Sequence, residues 1–273
     1  MSEPDIEERP SSVAWVGYVM AKWKLSHAFA TEQESCPMTA THLDAAAFGY
    51  KALEVDWDDV DAVGRWGAPI FDSFADPHTL MAALDRVRTD DHLRRLCETS
   101  EMLDKMVIFD DPAASFRIRV HVLKAGGFDR PHNHRWTFAS MILSGSYEHS
   151  VYGDESIIPD LENGRRTRPV MRRTETAGCR YTLHHTAIHN VSSENDAISI
   201  ILRGPAKKPY YWMLDRDLGE VTNNYGAAAN MPSFYDNHVM STEELDRAIA
   251  KVNAALLGTS DSRRPERTGM AGD

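Results

Sequence analysis

The sequence predicts a small antiparallel β-barrel or two-sheet sandwich, preceded by a helical segment and closed by a C-terminal helix. Three observations carry this expectation. Hydrophobic spacing is helical up to about residue 107. Beyond it, short segments of strand character alternate with turns rich in Gly, Ser, Pro and Asp. A Ser-x-x-Glu box at Ser241 and Glu244 then opens a last amphipathic stretch. Short strands with polar turns at this spacing suit a small antiparallel barrel or sandwich.

Taken in order, residues 12–29 mix apolar and small side chains at helical spacing. A second helix is predicted from Asp76-Pro77, a cap followed by a first-turn proline. It runs through Leu80, Met81, Leu84, Val87, Leu93 and Leu96 toward Met102 and Leu103. Trp57, Trp66, Phe71 and Phe74 lie between the two and are expected to pack in a loop-rich connector. Strands are predicted at 106–109, 116–123, 137–143, 147–152, 180–183, 197–202 and 210–214. Gly126-Gly127, Ser144-Gly145-Ser146, Gly153-Asp154 and Gly204-Pro205 supply the turns. The final helix carries Leu245, Ile249, Val252 and Leu256 and stops at Gly258. Residues 259–273 are polar and predicted to be disordered. The organisation expected is therefore a helical extension over 1–105 packed on a barrel over 106–235, a helix over 236–258 and a tail.

Composition narrows the function. The 273 residues are 42% hydrophobic and 26% charged, as in an ordinary soluble protein. A net charge of −11 argues against non-specific nucleic-acid or anionic-membrane binding, since both need a basic face. Cys36, Cys97 and Cys179 are an odd, scattered set without metal-finger spacing, which fits a reducing cytoplasm. The acidic N-terminus is unlike a signal peptide, and no apolar run approaches a membrane span. The expected partner is a small-molecule substrate; a homodimer stays open.

The chemistry concentrates in two segments. One reads Gly126-Gly-Phe-Asp-Arg-Pro-His132-Asn-His134, the other Gly178-Cys-Arg-Tyr-Thr-Leu-His184-His185-Thr-Ala-Ile-His189. Two histidines one residue apart on extended chain point to the same side. A third from a distant strand would close a face of three imidazoles, leaving positions open for substrate or oxygen. His184, His185 and His189 compete for that third place.

Both segments resemble the cupin superfamily, whose motifs fall over about residues 106–206. Its first motif is Gly, five residues, His, one, His, three or four, Glu, six, Gly. Here Gly126, His132, His134 and Gly145 keep the spacing, with Phe138 (or Ala139) where the Glu stands. In the second motif Gly178 and His189 fit, with His184, Thr186 and Ser193 in place of Pro, Gly and Asn. The resemblance implies an all-β cupin barrel of jelly-roll type. It assigns His132, His134 and His189 as metal ligands, with no carboxylate in the set. His184 or His185 would then orient a ligand from the outer shell.

Three-histidine cupins include the thiol dioxygenases, which use ferrous iron and molecular oxygen. Compared with that family, the carboxylate-binding Arg falls at Met106, beside Lys105, and the Cys or Gly near the metal at Ala139. The pocket Tyr falls at Arg203, in phase with Ser199 and Ile201. The ligands are kept and the substrate contacts are not, so cysteine is not the expected substrate. The segment Phe116-Arg-Ile-Arg119-Val-His121-Val-Leu alternates cleanly, and in the resembling family the matching phase lines the pocket. That makes Arg119 and His121 candidate substrate contacts, Arg203 the candidate anionic anchor, and Phe138 and Ser199 pocket residues. The plain alternative puts the polar face of that strand in water.

The arginines at 165, 166, 168, 172 and 173 read as a solvated face that offsets nearby carboxylates. Residues 207–212 read as a rim strand with packing aromatics. The function expected is a mononuclear iron(II) oxygenase acting on a small anionic or chelating metabolite. The alternatives are a zinc, nickel or manganese lyase or isomerase, and a metal-free binding protein on the same barrel.

Overall fold

The computed structural model describes residues 52–163, 168–215, 219–225 and 238–258. The helix expected over 12–29, the tail over 259–273, Cys36, Arg165 and Arg166 lie outside these residues. Three helices lead the described chain: α1 (Val60–Phe74), α2 (Pro77–Thr89) and the single turn α3 (Asp91–Arg94). Each starts on an aspartate whose carboxylate accepts from otherwise orphaned N–H groups. Asp59 caps Asp61 and Ala62, Asp76 caps His78 and Thr79, and Asp90 caps His92 and Leu93.

Two expectations are corrected here. The second helix stops at Thr89, well short of Met102, because Asp90 is extended and begins a new cap. Trp66, Phe71 and Phe74 belong to α1 and not to a connector. Gly64, Gly67 and Pro69 read as helix breakers, yet the helix passes through all three. Packing explains Gly67: a Cβ there would lie 2.7 Å from Leu202 Cδ1, so glycine lets α1 settle onto the sheet beneath it.

Among the described residues, twelve strands follow. β1 (Glu98–Thr99), β2 (Leu103–Asp111), β3 (Phe116–Leu123), β4 (Phe138–Ser144), β7 (Arg180–Leu183), β9 (Ala197–Arg203) and β12 (His238–Val239) form one antiparallel sheet in the order β12-β1-β2-β3-β9-β4-β7. β5 (Ser146–Gly153), β6 (Met171–Thr176) and β8 (Ile188–Ser192) form a second, ordered β6-β5-β8. β10 (Tyr210–Asp215) and β11 (Glu220–Tyr225) pair separately. The first histidine segment joins these last two groups, because His132 bridges His189 on one side and Met213 on the other. A short helix, α4 (Ile158–Glu162), and the closing helix α5 (Thr242–Leu257) complete the chain.

The strand run therefore starts at Glu98 and takes in His238–Val239, wider than the 106–235 expected, and α5 starts at Thr242. β6, β8 and β11 were not expected as strands. Met-Arg-Arg-Thr-Glu-Thr and Glu-Val-Thr-Asn-Asn-Tyr show too little apolar alternation to announce one.

One face of the large sheet is apolar and covered by helices. Ile118, Val120 and Val122 on β3, with Ile198, Ile200 and Leu202 on β9, pack in one core with Val63, Ile70 and Phe71 of α1 and Leu80, Leu84 and Val87 of α2. Leu245, Ala248, Ile249 and Val252 of α5 join the same core. The opposite face carries Arg117, Arg119 and His121 on β3, Ser199, Ile201 and Arg203 on β9, and Phe138 on β4, matched across the ladders. Period-two alternation thus sorts one strand into a hydrocarbon face and a polar face that turns toward the barrel interior. Among the described residues no helix is long and apolar enough to cross a membrane.

Candidate metal centre

His132, His134 and His189 come together. Their ligand nitrogens lie within 4.8 Å of one another, and among the described residues no carboxylate joins that set. The ring centroids form a nearly equilateral triangle with sides of 4.6, 4.8 and 5.0 Å. His134 Nε2 and His189 Nε2 are 2.8 Å apart. Two adjacent ligands on an ion with bonds of about 2.0–2.1 Å stand about 3 Å apart at a right angle, so the two nitrogens already sit near that spacing. The donor set fits a first-row divalent ion.

The backbone explains why the three meet. His132 exchanges N–H and C=O bonds with His189 across the bridge, both at 2.8 Å. Asn133, between the two ligands, is fully buried and anchors the segment. Its Oδ1 accepts from Trp212 N–H at 2.6 Å and its Nδ2 donates to Glu155 at 2.6 Å. His134 N–H reaches the carbonyl of His185 at 3.3 Å. The residue between two ligand histidines is thus a structural clamp.

The second nitrogen of two ligands is also held. His132 Nδ1 lies 2.8 Å from the Arg130 carbonyl and 3.3 Å from Asp129, which leaves Nε2 for an ion. His189 Nδ1 lies 3.0 Å from His149 Nε2, and His149 Nδ1 lies 3.0 Å from Glu175 Oε1. Arg173 donates to the same carboxylate oxygen. With Glu175 as acceptor, His149 donates from Nδ1 and accepts at Nε2, so His189 donates from Nδ1 and keeps its Nε2 lone pair. The β5–β6 register builds this relay by setting Arg173 opposite His149 and Glu175 opposite Tyr147 on one face. His149 and Glu175 are each 1% exposed. Burial pushes His134 and His189 well below the usual imidazole range, with His132 adding to it in both. Both are neutral, as ligands must be.

The other expected site residues divide. Phe138 lies against the centre, its ring 4.7 Å from that of His134 and 6.0 Å from that of His189, so an apolar ring fills the place of a carboxylate ligand. Arg203 is the cross-strand partner of Phe138 and stacks on Trp136, its guanidinium carbon 4.3 Å from the ring centre. Arg119 approaches the same indole at 5.8 Å. The Nε atoms of both arginines and Nε2 of His121 are buried and make no hydrogen bond. Arg117, by contrast, is paired with Asp110 at 2.7 Å. Burial works against the charge of Arg119 and Arg203, and neighbouring guanidinium groups work the same way. Ser199 is buried opposite His121 and Ile142.

His184 and His185 are not near the centre in the role expected. Their Nε2 atoms face Asp58, and the outer-shell partner of His189 is His149. No motif spacing marks His149 or Glu175, because each lies alone in its strand. Tyr147 and Tyr181 were missed for the same reason. Their hydroxyls are 2.8 Å apart, the Tyr181 ring is 4.8 Å from His149, and burial pushes Tyr181 up to about 12 and Tyr147 well above the usual phenol range.

No protein-family model matches this sequence, and no curated protein matches it. Solved structures do. KdgF from Halomonas sp. is similar at 15% identity and a TM-score of 0.31, covering 40% of this chain and 85% of its own. An RmlC-like cupin from Shewanella frigidimarina shows 15% identity and a TM-score of 0.29 over 40% of this chain and 87% of its own. An RmlC-like cupin protein from Ralstonia eutropha shows 14% identity and a TM-score of 0.31 over 57% and 76%. None of these likenesses bears on the reaction. The antiparallel architecture, with the two histidine motifs meeting across a pair of neighbouring backbone segments, agrees with the barrel that those motifs imply, and its three histidines form a group able to hold a metal ion.

Proposed function

We propose that the protein is a mononuclear non-heme iron(II) oxygenase of the dioxygenase kind, acting on a small anionic or chelating metabolite other than cysteine. The observation that carries this reading is a face of three imidazoles with no carboxylate, in a barrel that also holds two guanidinium groups without hydrogen-bond partners at Nε. Ferrous iron held there would supply oxygen activation beside a chelating substrate. His132, His134 and His189 hold the ion, and the His149–Glu175 relay fixes the tautomer of His189. Phe138 keeps a carboxylate and water from one side. Arg203 and Arg119 bind the anionic group of the substrate, with His121 beside them. A half-buried guanidinium whose Nε has no partner carries part of the desolvation cost of its charge, and a carboxylate or enolate offsets it through a planar, two-bond contact.

One observation favours a second reading. Tyr147 and Tyr181 are paired phenols kept protonated beside His149, and such groups could serve acid–base chemistry in a zinc, nickel or manganese lyase or isomerase. Metal analysis of protein purified without a histidine tag, together with oxygen consumption after ferrous loading, separates the two. The oxygenase reading expects stoichiometric iron and oxygen uptake that depends on an added carboxylate, amine or enolate substrate. Turnover without oxygen uptake would replace it with the lyase or isomerase reading.

A further inference from the structure

We infer a second divalent-cation site, separate from the three-histidine centre, formed by Asp58, His184 and His185 where the start of α1 meets the turn between β7 and β8. The three residues offer one carboxylate oxygen and two imidazole nitrogens within 4.8 Å of one another. Asp58 Oδ1 lies 3.7 Å from His184 Nε2 and 3.6 Å from His185 Nε2. Both distances are too long for hydrogen bonds, which end near about 3.2 Å. They are close to the edge of a tetrahedron around an ion with bonds of about 2.0–2.1 Å, which is about 3.4 Å. The two imidazoles are tilted neighbours, their ring centroids 4.2 Å apart and their planes at 35°, and both Nε2 atoms face Asp58 Oδ1.

The surroundings fit a ligand role. His184 Nδ1 lies 2.7 Å from the Thr186 hydroxyl and 3.4 Å from the Thr186 N–H. A cation on Nε2 takes the tautomer in which Nδ1–H donates to that hydroxyl in place of the longer contact, and the hydroxyl is then the outer-shell partner that metal-bound imidazoles need. His185 Nδ1 is buried and makes no hydrogen bond, so an interaction that secures this ring has to come through Nε2. Lys207 Nζ holds the other oxygen of Asp58 at 2.8 Å, orienting Oδ1 toward the histidines. Its charge opposes a cation, which sets the affinity below that of a closed structural site. Two imidazoles and one carboxylate select zinc, nickel or copper over magnesium or calcium.

Occupancy would reach the main centre through one residue. The His185 carbonyl accepts from His134 N–H, and the His185 N–H donates to the Thr137 hydroxyl at 3.2 Å. A cation bound to His185 and Asp58 would clamp the entry of α1 to the backbone that presents His134.

Zinc titration of the full chain by calorimetry, with metal analysis after dialysis, tests the site. A His132→Ala/His134→Ala variant should still bind one equivalent. Adding Asp58→Asn and His184→Gln to it should abolish that binding, with the thermal midpoint of the zinc-free protein unchanged. Lys207→Met in the same background should tighten zinc about tenfold by removing a like charge a few ångströms away. Zinc binding by the His132/His134 variant supports the site even if the three-histidine centre itself takes no zinc. No binding by that variant, binding that survives the Asp58 and His184 substitutions, or an affinity that Lys207→Met leaves unchanged would each overturn it.

Discussion

Replacing Glu175 with glutamine tests whether the metal centre extends inward from its ligands. The side chain is isosteric and the site is buried, so little packing changes. What changes is charge. The 3.0 Å contact from His149 Nδ1 now ends on a neutral amide, and the direction of proton donation through His149 to His189 is no longer imposed. A hydrogen bond to an ionised acceptor is worth about 1.5–3 kcal/mol and a neutral one about 0.5–1.5, so the relay loses roughly 1–1.5 kcal/mol. Arg173 also loses its carboxylate, but it is partly exposed and water can serve it. Outer-shell changes of this kind typically weaken metal binding about 10- to 100-fold, or about 1.4–2.8 kcal/mol. Competition between the protein and a chromophoric chelator for zinc measures this directly, with the melting midpoint of the metal-free protein as control. The expected result is weaker binding by at least tenfold, with the midpoint of the metal-free protein lowered by only about 2–6 °C, as a loss of about 1–1.5 kcal/mol implies for a chain of this size. Equal zinc affinity in Glu175→Gln and the wild type would refute the relay as a determinant of the centre.

Two further outcomes follow from the geometry. Arg203→Lys removes the planar fork and the stack on Trp136, and a lost two-point contact costs roughly 2–4 kcal/mol; binding of oxalate, as a probe anion, to the metal-loaded protein should weaken at least tenfold while iron content stays the same, and unchanged binding would move the anchor to Arg119. At the start of α5, the backbone N–H of Ser241, followed by His238, holds Glu244 down to about 2 from 4.5. A depressed carboxylate contributes stability that is present above about 4.5 and lost as pH falls toward 2. Urea unfolding of wild type and Glu244→Gln should therefore differ at neutral pH and converge in acid, and a difference constant with pH would contradict the cap's role.

The fold was legible where local chemistry and burial agree. β3 and β7 were read to the residue, and the capping box placed α5 within one turn, because alternation and caps are local signals. α1 was missed because its glycines and proline answer to tertiary contact. Gly67 clears Leu202 on β9, more than a hundred residues away, and no local pattern reports that. β6 was missed because its inward residues, Arg173 and Glu175, are charged. The burial of Glu175 is tolerated because it meets the partly exposed Arg173 on its own strand and His149 across the ladder.

The site divides along the same line. His132, His134 and His189 were readable because a motif fixes spacing and the ligands lie on two stretches of chain. The relay behind His189 draws one residue from β5 and two from β6, and register alone brings them together. The two dipeptide histidines show the converse failure. Sequence proximity to His189 made His184 and His185 look like its partners, yet a strand boundary separates them: His189 lies within β8, while the pair lies in the turn before it and faces Asp58. Departures from the family pattern are also coupled. Phe138 replaces a ligand carboxylate and therefore leaves the centre without that negative charge, while Arg203, its cross-strand neighbour, adds a positive one. Both differences lie at adjacent positions, and under the function proposed above they favour a substrate that brings its own negative charge to the three-histidine site. On the same proposal a neutral substrate is disfavoured, because it would leave the buried Nε atoms of the half-buried Arg119 and Arg203 without a hydrogen-bond partner.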